Sequence, residues 1–195
     1  MTDPVLEPDD AATPLTPEEH EGLIPSYITL RHELNEAEQE NILDAEGWAF
    51  ARKRNVLDEA FLKSLHKRMF GRVWRWAGTF RHTERNIGVA PHRIGVDLRS
   101  LLDDSRYWIE HDTYPPDEIA TRFHHRLVWI HPFPNGNGRH ARLATDLLLT
   151  ALGRPRFTWG RVSLVDRGKT RLAYVAALRA ADGHDIQPLL AFVRS

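Results

Sequence analysis

The stretch His131-Pro-Phe-Pro-Asn-Gly-Asn-Gly-Arg-His-Ala-Arg142 decides how the rest of the chain reads. An apolar series leads into it at helical spacing (Ile119, Phe123, Leu127, Ile130), and a second leads out (Leu143, Leu147, Leu148, Ala151, Leu152). Pro132 and Pro134 stop the first helix, because proline lacks the donor N–H and disfavours the α region in the residue before it. Gly136-Asn137-Gly138 then opens the second helix, so its unpaired N–H groups and positive dipole end point into the loop. Such an end binds anions, phosphate above all. Arg139 and Arg142 are three residues apart, which puts them on one helix face where they can grip the same polyphosphate. His131, at the end of the incoming helix, is placed to take a proton beside it.

The composition around this stretch is that of an ordinary globular domain: 195 residues, 42% hydrophobic, with a formal net charge of −1. The charge argues neither for nor against nucleic acid. There is no cysteine, which removes disulfides, thiolate metal sites and a cysteine nucleophile. No apolar run approaches the length of about 18 residues needed to span a bilayer, and the N-terminus is acidic and proline-rich rather than signal-like. A cytoplasmic protein with no membrane partner is the expectation. The 11 histidines are scattered without a His-Glu-x-x-His spacing. His124 and His125 face different directions on a helix, which suits core or surface roles rather than zinc.

Residues 1–15 carry acid and proline with little to bury, and read as a mobile tail. One domain is expected over 16–195. Thr16-Pro17-Glu18-Glu19 has the form of a helix start. Helical patterning covers Ser26 to Phe50, Asn55 to Trp76, Val96 to His111 and Thr170 to Ala181, with a short last helix from Ile186 to Val193. Tyr114-Pro-Pro116 breaks the chain before the helix that leads into the motif, and Gly153 suits the position just past the helix that leaves it. Thr79 to Ile94 differs in character: Phe80, Thr83, Ile87 and Val89 favour strands among polar residues and Gly88, which predicts a short β-hairpin. The fold class is therefore all-α with a short β-hairpin beside the motif loop.

The motif resembles the signature of the Fic family, His-x-Phe-x-Asp/Glu-Gly-Asn-Gly-Arg-x-x-Arg, and matches it at every defining position except the acidic one, which is Asn135. From about Thr16 onward the chain is similar to the Fic-type proteins called mobile mystery protein B. The resemblance implies a nucleotidyltransferase that moves AMP from ATP to a Ser, Thr or Tyr hydroxyl of a protein. His131 would be the base. Gly136, Asn137, Gly138, Arg139 and Arg142 would hold the phosphates. The hairpin, through Asn86, Ile87, Gly88 and Val89, would be the flap that presents the target by main-chain pairing. Tyr174 resembles a position that lines the adenine pocket, and a core tyrosine fits the same place. Residues 26–50 resemble an inhibitory helix, with Thr29 and Glu33 at the family's spacing but Leu34 where Gly or Asn is usual. Glu33 would pair with Arg142 and occupy the place of a γ-phosphate. Mg²⁺ is the expected companion of ATP, and Asn135 offers it only a neutral oxygen where carboxylates are usual.

Three functions follow from the resemblance: AMP transfer; transfer of phosphate or another nucleotide; and a nucleotide-binding regulator whose catalysis Asn135 has weakened. Doc-like motifs depart at the glycines, and this chain keeps both, which favours AMP. Expected partners are ATP, a protein target and, through self-modification, the chain itself. No direct nucleic-acid contact is expected.

Overall fold

The computed structural model describes residues 15–160 and 167–195; the expected tail lies outside them except for Leu15. The first helix, α1 (Pro17–His20), begins in a reciprocal cap. Thr16 Oγ1 accepts from the Glu19 N–H at 3.3 Å, and the Glu19 carboxylate accepts from the Thr16 N–H at 2.8 Å. α2 (Arg31–Phe50) starts later than the sequence pattern suggested. Its buried residues Leu34, Glu38, Asn41, Ala45 and Ala49 recur at helical spacing, so two polar side chains share the stripe that faces the core.

α3 (Glu59–Phe70) is capped by Asp58, whose carboxylate accepts from the Ala60 N–H at 3.2 Å. It ends at Gly71 rather than running to Trp76, and the residues that follow turn back so that Trp74 forms a single antiparallel bridge with Leu23. A short 3₁₀ turn (Pro91–Arg93) leads into α4 (Ile94–Glu110). Next come the two helices that flank the motif, α5 (Pro116–Ile130) and α6 (Asn137–Ala151), and then α7 (Arg167–Asp182) and α8 (Gln187–Val193).

α5 packs between α4 and α6, α2 lies along α3, and α7 along α8. One apolar cluster joins α2 to α6 through Leu34, Leu65, Phe70, Leu101, Phe123 and Leu147. A second gathers Ala120, Leu149, Trp159, Ala177 and Leu189 under α7 and α8. At roughly 25 cal/mol per Å² of apolar area buried, such clusters are the main stabilising contribution to a helical domain.

The expected β-hairpin is corrected by the structure: no strand occurs among the described residues, and residues 79–90 form an irregular loop. The reason is where its backbone donors go. The Arg81 N–H donates to Pro132 O at 2.9 Å, and the Val89 N–H to Ile130 O at 3.3 Å. The two sides of the segment thus bond the motif loop instead of each other. Between them lies the Arg81 side chain, 2% exposed. The segment still lies over the motif, but as a loop wrapped on a guanidinium.

Candidate active site

His131 closes α5 in the left-handed region, with φ 53° and ψ 59°. A non-glycine residue adopts that conformation only where its surroundings enforce it. Here the enforcing contacts are the Arg81 Nε bond to His131 O at 2.7 Å and the neighbouring bonds to Ile130 O and Pro132 O. The imidazole is buried, and burial, followed by the nearby Arg81 charge, lowers its pKa to about 4, against a smaller opposing effect of the Val128 carbonyl. At neutral pH it is therefore the uncharged ring, the form that accepts a proton.

The loop after it is held from several sides. Phe133 is fully buried, with its ring stacked on His66 at 3.7 Å between centroids. His66 joins two segments: its Nδ1 accepts from the Gly78 N–H and its Nε2 donates to Asn135 O, each at 3.0 Å. With Nδ1 an acceptor, the proton must be on Nε2. Burial pushes the His66 pKa well down, consistent with a neutral ring. Asn137 makes a reciprocal pair with Phe133, accepting from its N–H at 2.9 Å and donating to its carbonyl at 2.8 Å. Its buried amide thus fixes the shape of the loop. Gly136 caps α6 at φ 77°, and a Cβ there would lie 2.6 Å from the Phe70 ring, so only glycine fits. The first-turn N–H groups of α6 issue from this end, with Gly138 partly exposed among them.

The two arginines of the motif meet different neighbours. Arg139 donates to the Glu38 carboxylate at 2.6 Å and lies over the Phe70 ring at 4.8 Å. Arg142 lies 5.8 Å from the Tyr174 ring centroid. Tyr174 joins a buried polar chain: its hydroxyl lies 2.8 Å from His124 Nε2, and His124 Nδ1 lies 3.4 Å from Thr145 Oγ1. Because Thr145 donates its only proton to Ala141 O at 2.7 Å, His124 Nδ1 is the donor towards Thr145 and Tyr174 donates to His124 Nε2.

Glu33 is not seated at the motif. Its carboxylate accepts from the Leu30 N–H at 2.9 Å and the Thr29 N–H at 2.8 Å, and these bonds, the Thr29 one first, lower its pKa. The cause is positional. Glu33 is three residues past the Leu30 cap, where a carboxylate reaches back to otherwise unpaired backbone donors. The α2 acid that reaches the motif is Glu38, which also accepts from Trp74 Nε1 at 2.6 Å. Its place on the 34, 38, 41, 45, 49 stripe was a signal available in the sequence. Arg81 and His66 carried no comparable signal, since nothing local distinguishes them from a surface arginine and a core histidine.

Of the flap residues, Asn86, Ile87 and Gly88 are exposed and Val89 is buried. Gly88, at φ 91°, comes so close to the base that an added Cβ would lie 2.5 Å from His131 Cβ. Asn135 brings the loop a neutral oxygen where Mg²⁺ usually takes a carboxylate. The Asn135 side-chain oxygen accepts from the Gly136 N–H at 2.6 Å, and no group of three His, Asp or Glu that could hold a metal occurs among the described residues.

A model of the Fic/DOC family matches residues 56–149. Protein adenylyltransferase fic-1 of Caenorhabditis elegans is 31% identical over 137 residues, covering 66% of this chain and 25% of that protein. Protein adenylyltransferase Fic of Nematostella vectensis is 30% identical over 133 residues, covering 66% of this chain and 30% of its own length. The chain thus spans about a quarter of the length of the first curated relatives it matches. In fold it superposes on the BepC protein of Bartonella tribocorum, solved with bound AMPPNP, with a TM-score of 0.69 at 19% identity over 92% of this chain and 97% of that one. A fic-1 fragment from C. elegans gives 0.67 at 24% identity over 89% and 51%. The matched residues contain the whole motif loop, α5 and all but the last two residues of α6, and over residues 56–149 the chain carries a domain of the Fic/DOC family.

Proposed function

We propose that the chain transfers AMP from ATP to the hydroxyl of a Ser, Thr or Tyr on a protein. In this reaction the hydroxyl oxygen attacks the α-phosphorus, the bond from that phosphorus to the bridging oxygen breaks, and pyrophosphate leaves. His131 accepts the hydroxyl proton. The observation that carries the proposal is the state of His131: buried, neutral at pH 7, and held just ahead of the N-terminus of α6. An oriented neutral base beside a cluster of backbone donors suits in-line displacement at phosphorus. The names of the curated relatives support it, as does retention of Gly136 and Gly138.

The phosphates lie along the first turn of α6, with Arg139 and Arg142 on either side and Tyr174, next to Arg142, on the adenine side. Mg²⁺ enters with the nucleotide, held by its phosphates. Asn86 to Val89 receive the target segment, which includes the chain's own residues where it modifies itself. In a cytoplasmic setting ATP is at hand for this chemistry. Restraint by α2 acts through Glu38: its carboxylate holds Arg139, so a phosphate must displace a charge-assisted bond to reach that arginine. Asn135 favours a second function, a nucleotide-binding regulator with little turnover, because it brings no carboxylate to the site.

Intact mass after incubation with ATP and Mg²⁺ separates the alternatives. Gain of an adenylyl group, lost in His131→Ala while AMPPNP binding persists, supports AMP transfer. Gain of a phosphate group points to the kinase-like reaction, and an unchanged mass with AMPPNP bound points to the regulator. A His131→Ala variant that still transfers at the wild-type rate removes His131 as the base.

A further inference from the structure

The carboxyl end of α5 is received by Arg81, through both its main chain and its guanidinium, together with the Val89 N–H. Three consecutive carbonyls, those of Ile130, His131 and Pro132, point away from the helix where no further helical N–H can meet them. Arg81 donates its own N–H to Pro132 O at 2.9 Å, its Nε to His131 O at 2.7 Å and an Nη to Ile130 O at 3.5 Å. The same guanidinium reaches back into its own loop, donating to Thr83 O at 2.9 Å and to Val89 O. Among the described residues all of its partners are main-chain carbonyls, and no carboxylate is hydrogen-bonded to it. A buried cation without a paired anion is costly unless oriented dipoles surround it, and the negative end of a helix is such a place.

We propose that Arg81 is a positioning residue for AMP transfer: it caps α5, holds His131 in its left-handed conformation, and sets the height of the flap over that ring. The proposal rests on the adenylyltransferase function above. The flap contributes the third contact. Gly88 approaches so closely that an added Cβ would lie 2.5 Å from His131 Cβ and 2.8 Å from Arg81 Nη2. Base, guanidinium and flap backbone are therefore one closed cluster, and a target hydroxyl presented by residues 86–89 is registered against His131 through Arg81.

The cluster also sets the charge around the ring. Two cations of the flap, Arg81 and Arg85, oppose protonation of His131. Arg85 is offset by its buried ion pair with Glu19 of α1, and Glu84 lies close enough to Arg81 to act on it. From α6, Arg139 is engaged with Glu38 of α2, and Arg142 faces Tyr174 of α7. From α5 the contribution is the Val128 carbonyl, which favours the proton. Among the described residues Arg81 acts on His131 with no carboxylate hydrogen-bonded to it, while Glu84 and Glu19 act on it from farther away.

The test uses Arg81→Met, which keeps length and removes charge, and Arg81→Lys, which keeps charge but cannot serve so many carbonyls. Gly88→Ala disturbs the same cluster from the flap side. Pyrophosphate release from ATP, AMPPNP affinity and the His131 ring titration followed by NMR are measured on each folded protein. In Arg81→Met, release should fall about tenfold to a hundredfold, the loss expected from misplacing a reacting group by about 1 Å. AMPPNP affinity should stay within about threefold, marking an effect on the reacting geometry rather than on nucleotide binding. The His131 pKa should rise above about 4 but stay below 6.5, because burial, the larger cause, remains. Arg81→Lys should lose rate with a smaller rise in pKa. Wild-type rate and titration in Arg81→Met overturn the proposal, as does equal behaviour of the Met and Lys variants in the titration. If neither Arg81 variant folds, Gly88→Ala decides: a lower rate with AMPPNP still bound supports the proposal, and unchanged rate and titration overturn it. A wild-type chain that releases no pyrophosphate sinks the adenylyltransferase function instead, and the titration still reports Arg81's hold on His131.

Discussion

Acidification should unfold this protein well above the pH at which its carboxylates titrate, because several histidines are buried as neutral rings. His131 and His140 are each lowered to about 4 and His124 to about 3, from an ordinary 6.5, with burial the first cause in all three. His66 moves the same way for the same reason. The direction follows from proton binding. Below pH 6.5 the unfolded chain takes up protons that the folded rings refuse, so stability is fully present above 6.5 and falls as pH drops towards 4. Between pH 7 and pH 5, a ring with a pKa of 6.5 unfolded and about 4 folded forfeits about 2 kcal/mol, and three such rings about 5–6 kcal/mol. That is comparable to the whole stability of a typical domain, about 5–15 kcal/mol. Urea unfolding followed by far-UV circular dichroism at pH 7 and pH 5, at fixed ionic strength, measures the difference. A loss below about 1 kcal/mol would falsify the reasoning, since each ring alone is expected to exceed that.

Other outcomes test the site. Asn135→Asp should strengthen the dependence of activity on Mg²⁺, because a carboxylate replaces a neutral oxygen that is already hydrogen-bonded to the Gly136 N–H; an unchanged Mg²⁺ titration means the nucleotide alone carries the ion. Glu38→Gln keeps an acceptor for Trp74 Nε1 but removes the charge held by Arg139, and should raise AMPPNP affinity about tenfold, the scale of one charge-assisted bond. Glu33→Gln, in contrast, should leave nucleotide affinity unchanged, because that carboxylate caps α2; an equal gain from both would return the restraint to Glu33. Gly136→Ala should destabilise the fold by about 2 kcal/mol or more, from a left-handed φ and a collision with Phe70, as read from the urea midpoint.

Local chemistry in the sequence determined the helix–loop–helix and what its loop can hold. Pro132 and Pro134 end α5, Gly136 begins α6, and the positions of His131, Arg139 and Arg142 follow from where those helices stop and start. The reciprocal cap at Thr16 and Glu19 was readable for the same reason, since its parts are three residues apart. What only the tertiary structure decided are the pairings between distant segments. The stretch 79–90 has the residues of a hairpin, yet its donors find the carbonyls of 130–132, because those carbonyls are left unpaired at a helix end some fifty residues away. Glu33 has the spacing of an inhibitory acid, yet cap donors three and four residues away hold it, while Glu38 reaches Arg139 from the buried stripe of α2. Spacing along a chain fixes which groups share a helix face; which of them meets a charge on another helix depends on how the helices pack, and packing is a property of the whole core.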